Sequence, residues 1–154
     1  MKNKITLSSV LAGVLFTTML AFAAPKAAKA NADQNIPPFP VILVNAQFVY
    51  VTSYDGDEFL NTNLLPEDLK AISTVQDEMK KWGKFIVVYE PSQADIVIMV
   101  TSRPSEDILA VYDAKGWPRN GQYLWRMTSR GGLQQGEVPL VTNLEKAFEK
   151  ATTK

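Results

Sequence analysis

The sequence predicts an α+β fold: a single two-layer α/β domain in the order β-α-β-β-β-β-α, with two helices packed on one face of a mixed sheet. Three observations lead there. Five short runs are rich in β-branched and aromatic residues and are separated by turn-forming residues. Two longer segments place apolar residues at steps of three or four, the period of a helix with one buried stripe. No segment repeats and no second apolar core appears, so the elements must share one interior.

The elements follow in order. Residues 31–40, "NADQNIPPFP", form a polar and then proline-rich lead, kept extended by prolines 37, 38 and 40. "VILVNAQFVYVTSY" then predicts a strand over about residues 41–53, interrupted on one face by Asn45 and Gln47. A polar turn, "DGDEFLNTN", leads to Pro66, where the clearest helix begins. Its stripe is Leu69, Ile72, Val75, Met79 and Trp82; acids occupy its first turn, lysines its last, and Gly83 follows it. Two strands, "KFIVVYE" and "DIVIMVTS", come next, divided by "PSQA". The second is apolar at every position from Ile96 to Val100, which predicts burial on both faces and a place at the centre of the sheet. "DILAVYDA" and "QYLWRMT" are further strands joined by the wide loop "KGWPRNG". In the last strand Tyr123, Trp125 and Met127 share one face and Leu124, Arg126 and Thr128 the other. The glycine-rich loop "SRGGLQQG" opens a final helix near residues 139–151. Pro139 stands at its first position, or Thr142 and Glu145 form a capping box for a shorter version.

The N-terminus bears on compartment. Lys2 and Lys4 precede an apolar stretch from Ile5 to Ala24, and "AKA" at 28–30 offers the small-x-small pattern of a signal-peptidase site. Residues 1–30 are therefore expected to be a signal peptide cleaved after Ala30, leaving residues 31–40 as the lead and 41–154 as the domain, in the periplasm or secreted. "AFA" at 21–23 is a second candidate cut, with Pro25 close behind it. An uncleaved anchor is the alternative, since the stretch approaches the ~20 residues that span a bilayer. Ser8, Ser9, Thr17, Thr18 and the small-residue exit argue against it. The chain has no cysteine, so neither a lipid anchor on a lipobox cysteine nor a disulfide is available. Beyond residue 30 the balance is 12 basic against 16 acidic residues, which does not suggest a nucleic-acid binder.

Missing residue types restrict the chemistry. Without a single histidine or cysteine, Ser-His-Asp and Cys-His catalysis and nitrogen or sulfur zinc sites are excluded within this chain. Neither a P-loop nor a dinucleotide glycine motif occurs, and no cofactor is implied. Carboxylate chemistry, tyrosine chemistry and hard-metal binding through oxygen remain. The stretch "DGDEFLNTN" supplies Asp55, Asp57 and Asn61 as possible calcium ligands, or as the centre of a small carboxylate- or metal-dependent hydrolase. Counted as an EF-hand from Asp55, however, the fifth and sixth positions are Phe59 and Leu60 and the twelfth is Pro66. A polar turn is the simpler reading. A sugar-cleaving carboxylate pair drawn from Asp55, Asp57, Glu58, Asp107 and Asp113 gains no support from their spacing.

The candidate binding residues lie later. Arg103, Arg119, Arg126 and Arg130 fall in or beside the last strands, where they suit an anionic polymer or a carboxylate-bearing partner, or form a solvated ion-paired surface. Trp117, between Gly116 and Pro118, either anchors a partner or folds back over the sheet. The preferred reading is thus a non-enzymatic envelope module binding an envelope protein or polymer through Trp117, Arg119, Arg126 and Arg130.

One resemblance accords with this. The run "QADIVIMVTS…ILAVYDAKGWPRNGQYLWRMTSRGGL", preceded by a helix ending Trp-Gly, resembles small uncharacterised secreted proteins of the bacterial envelope. It is similar, more distantly, to the amino-terminal domain of the Tol-system B protein and to penicillin-binding-protein activator lipoproteins. The resemblance covers roughly residues 48–150 and implies a two-layer α/β envelope domain. It brings no catalytic residues, and this chain lacks the lipidation cysteine of the lipoproteins.

N-terminal sequencing of the exported product should therefore read from about Asn31. Recovery of intact Met1 in the membrane fraction would contradict the cleavage.

Overall fold

The computed structural model describes residues 35–53, 64–117, 122–134 and 136–153. It contains strands β1 (Phe48–Ser53), β2 (Ile86–Val88), β3 (Ile96–Ser102), β4 (Asp107–Asp113) and β5 (Trp125–Ser129), and helices α1 (Pro66–Trp82) and α2 (Pro139–Thr152). Short 3-10 turns occupy Val41–Leu43 and Pro91–Gln93. The sheet runs β2-β1-β3-β4-β5, parallel between β1 and both neighbours and antiparallel from β3 onward, so it is mixed. The fold is the predicted α+β arrangement, and β3 is its central strand.

Alternation along the strands separates two faces. Val49 and Val51 of β1, Ile96, Ile98 and Val100 of β3, Leu109 and Val111 of β4, and Trp125 and Met127 of β5 join the helical residues in one core. Both helices thus cover the same face. α1 contributes Ala71, Val75 and Met79, and α2 contributes Leu140, Val141, Leu144, Ala147 and Phe148. Phe148 is the hub where the layers meet: its ring lies edge-on to Phe39, Phe85 and Trp82 at centroid distances of 5.1, 5.4 and 5.5 Å. Offset and edge-on ring pairs add to the stability that area burial alone provides.

Several local expectations need correction. The strand predicted over 41–53 begins only at Phe48. Upstream, the Pro40 carbonyl accepts the Leu43 amide at 3.0 Å and turns the backbone into a 3-10 helix, leaving Val41 and Ile42 exposed. The lead before it is anchored rather than merely extended: Phe39 is buried, and the Trp125 indole nitrogen donates to the Pro37 carbonyl at 3.0 Å. On α1, Leu69 is exposed, and Asp68 and Ala71 take the inward positions ahead of Val75 and Met79. The helix ends as expected, with Gly83 in the left-handed region at φ 70° and its amide bonded to the Met79 carbonyl. β2 is shorter than the predicted run, and β5 starts at Trp125, so Tyr123 precedes the strand and is 48% exposed. α2 begins at Pro139 rather than at a capping box. Thr142 lies inside the helix, and its hydroxyl donates back to the Val138 carbonyl. A glycine is obligatory before α2, because a Cβ on Gly132 would come within 2.6 Å of the Leu140 side chain.

The short link from β2 to β3 has to cross β1, since β2 and β3 flank it in parallel. Asp95 makes that crossing possible. Its carboxylate accepts the amides of Gln47 and Phe48 at 2.8 and 3.0 Å, and its own amide donates to the Phe48 carbonyl. These backbone donors hold the Asp95 carboxyl below its ordinary range. Among the described residues no helix is long and apolar enough to cross a membrane.

Ile98→Asp should abolish cooperative folding. It would set a carboxylate without a partner in the centre of a strand buried on both sides, a cost of several kcal/mol against a total stability of about 5–15 kcal/mol. Normal yield and a cooperative urea transition in that variant would contradict the placement of the sheet centre.

Candidate functional site

The carboxyl ends of β1 and β3 are the place where α/β sheets commonly bind ligands. Here β3 ends at Ser102, Arg103 follows it, and α1 begins beside them. Asp68, in the first turn of α1, is wholly buried. It accepts the Ser102 amide at 3.1 Å, and a single Arg103 guanidinium nitrogen reaches its two oxygens at 3.0 and 3.1 Å. That nitrogen also donates to the Ser102 carbonyl. Asp107, buried at the start of β4, accepts the Ser102 hydroxyl at 2.7 Å and the Leu133 amide at 3.0 Å. The two carboxylates tie the start of α1, the β3–β4 turn and the loop before α2 into one knot. Their oxygens are engaged by protein donors, so this is a structural network. The Ser53 hydroxyl, at the end of β1, is buried with no hydrogen-bond partner among the described residues.

Among the described residues no three acidic side chains converge as a metal site would require. The candidate ligands Asp55, Asp57 and Asn61 lie outside the described residues, as does Arg119.

The face of the sheet away from the helices carries a second set of residues. Phe48, Tyr50 and Thr52 of β1, Val97 and Met99 of β3, and Ile108, Ala110 and Tyr112 of β4 alternate with the core positions. In register, Tyr50 and Tyr112 flank Val97, which is fully buried. Trp117 folds back to this face. The turn after β4 is closed by the Gly116 and Trp117 amides, both donating to the Asp113 carbonyl at 3.1 Å. It brings the indole to 6.2 Å from the Tyr50 ring, tilted by 58°. Trp117 is half-buried, and its indole nitrogen has no partner among the described residues.

The other sequence candidates lie at the β5 edge. Arg126 is exposed at the second position of β5, its guanidinium 5.8 Å from the centre of the Tyr123 ring. Arg130 is exposed just beyond the strand. Neither is ion-paired among the described residues, whereas Arg103 is engaged by Asp68. An open depression of about 410 Å³ lies beside Arg126, lined by Asn35, Pro37, Tyr123, Arg126, Met127 and Thr128. The predicted set is therefore divided: Trp117 packs toward β1, while Arg126 and Arg130 mark the far edge. Tyr123, Asn35 and Pro37 were not legible as site residues. Tyr123 reads from alternation as a core position, and the docking of the lead on β5 depends on the long-range Trp125–Pro37 bond.

Comparison of the chain with protein-family models, with curated proteins and with solved structures finds no match.

Trp117→Ala should lower stability by about 2 kcal/mol, roughly half the cost of truncating a fully buried tryptophan. Urea denaturation measures it. An unchanged midpoint would show that the contact with Tyr50 contributes nothing to the fold.

Proposed function

We propose that this chain is an exported, non-enzymatic module of the cell envelope that binds a protein or polymer through the β5 side of its sheet. One observation supports the reading above others: the different fates of the arginines. Arg103 is spent on a buried aspartate, whereas Arg126 on the edge strand and Arg130 just beyond it stand exposed without ion pairs among the described residues, Arg126 beside an open depression. An arginine beside an aromatic ring is a pairing favoured where one surface recognises another. The signal-peptide pattern of residues 1–30 and the resemblance to secreted envelope proteins support a location outside the cytoplasm. Trp117 contributes to this reading as the cover of the opposite sheet face rather than as a free anchor.

Capture on the immobilised exported protein tests the reading. An envelope extract passed over it should leave a defined component, retained by the wild type and lost with Arg126→Glu/Arg130→Glu at unchanged melting temperature. Retention of nothing above a blank matrix would remove the binding function. Equal retention by the double variant would move it away from β5.

A further inference from the structure

We infer that the outer edge of β5 receives an extended acidic peptide as a sixth strand, with a peptide carboxylate on Arg126 and a neighbouring side chain in the depression beside Tyr123. This rests on the reading of the chain as a binding module and names its partner class.

β5 ends the sheet order, and among the described residues no strand pairs with its outer side. An edge strand offers a row of unpaired main-chain donors and acceptors, which an extended chain can complete. The opposite edge, β2, is three residues long, whereas β5 pairs with β4 over five positions, from Trp125 to Ser129. The sequence of β5, Trp-Arg-Met-Thr-Ser, contains no proline to block a further strand.

The walls of the depression supply specificity. On one side the lead is pinned by the bond from the Trp125 indole to the Pro37 carbonyl, which holds Asn35 and Pro37 alongside β5. On the other, Tyr123 and Arg126 stack at 5.8 Å. Met127 and Thr128 line it as well. The volume of about 410 Å³ lies within the range of sites that take small ligands or side chains.

Charge selects among occupants. Arg126 and Arg130 present two guanidinium groups without ion pairs among the described residues, and a planar fork of donors matches a carboxylate. A second copy of the chain would bring an identical pair of arginines against them, so self-pairing at this edge is opposed by like charge. An anionic polymer would satisfy the arginines and leave the main-chain edge unpaired. An acidic peptide satisfies both.

The probe is a fluorescein-labelled Val-Glu-Val-Glu-Val-Thr peptide, titrated by polarisation against the chain as its host exports it. Three relatives of the probe accompany it: one with lysine for glutamate, and two N-methylated on alternate amides so that each blocks one edge of the peptide. Saturable binding of the parent is expected, with at least tenfold weaker binding of the lysine version and of one N-methylated version. Arg126→Ala should weaken binding at least tenfold with an unchanged melting temperature, and Arg126→Lys should recover part of the loss.

Absence of saturable binding up to millimolar peptide would overturn the proposal. Parent-like binding of both N-methylated versions would also overturn it, since the surface would then read charge alone, as for an anionic polymer. If the wild type self-associates and the peptide does not compete, the edge belongs to a second copy. If Arg126→Ala instead assembles and still binds the peptide normally, Arg126 only guards a bare edge, and the proposal fails. Should Arg126→Ala not fold, the N-methylated comparison on the wild type decides alone. Failure of the peptide while an envelope component is still captured dismisses the β5 strand-addition site and leaves the module reading standing.

Discussion

Strand β3 has no solvent-facing side along its apolar half, and that condition organises the molecule. Ile96, Ile98 and Val100 face the helices, Val97 and Met99 face the other way, and all five are buried. Burial on one side is supplied by two helices that meet at Phe148. On the other side no helix among the described residues supplies it. The partners there are the flanking tyrosines and the tryptophan that folds back after β4. A tryptophan in a loop rich in glycine and proline thus becomes part of the cover of the central strand.

Both ends of β3 are fixed by carboxylates that accept backbone amides. Asp95 at its start fastens the entry of β1 and lowers its own affinity for a proton in doing so. At its finish, Asp68 and Asp107 gather α1, the β3–β4 turn and the loop before α2. A carboxylate accepting charge-assisted hydrogen bonds offsets its desolvation only if its lone pairs are used. Such pairing explains why the buried acids among the described residues serve the fold, and why Arg103 is consumed while Arg126 and Arg130 stay exposed.

The architecture was readable because it rests on periodicity. Consecutive apolar residues from Ile96 to Val100 identified the central strand, and helix polarity together with Gly83 fixed the end of α1. What escaped the sequence depends on distant partners. Asp68 reads as a first-turn acid facing solvent until Arg103 draws it inward, 35 residues away. Val41 to Val44 have strand-like composition, yet Pro40 and the Leu43 amide close a turn first. Tyr123 follows the alternation of β5 and still lies outside the strand. The candidate site was legible only in fragments, because the sequence shows which arginines exist and not which of them the fold consumes.

The mixed sheet also divides the chain in time. β3, β4 and β5 form a meander whose pairings are local, so the entropy of closing their loops is modest. β1 pairs with β3 across 47 residues, from Val49 to Ile96, and with β2 across 38, from Phe48 to Ile86. Non-local parallel pairing of this kind is intrinsically slow. A chain synthesised or threaded from its N-terminus therefore presents β1 first and can pair it only after α1, β2 and β3 have followed. During that interval Phe48, Val49, Tyr50 and Val51 form a bare apolar strand with both edges unpaired. Such a segment invites association with other chains. The fold that ends with a protected central strand begins with its neighbour exposed.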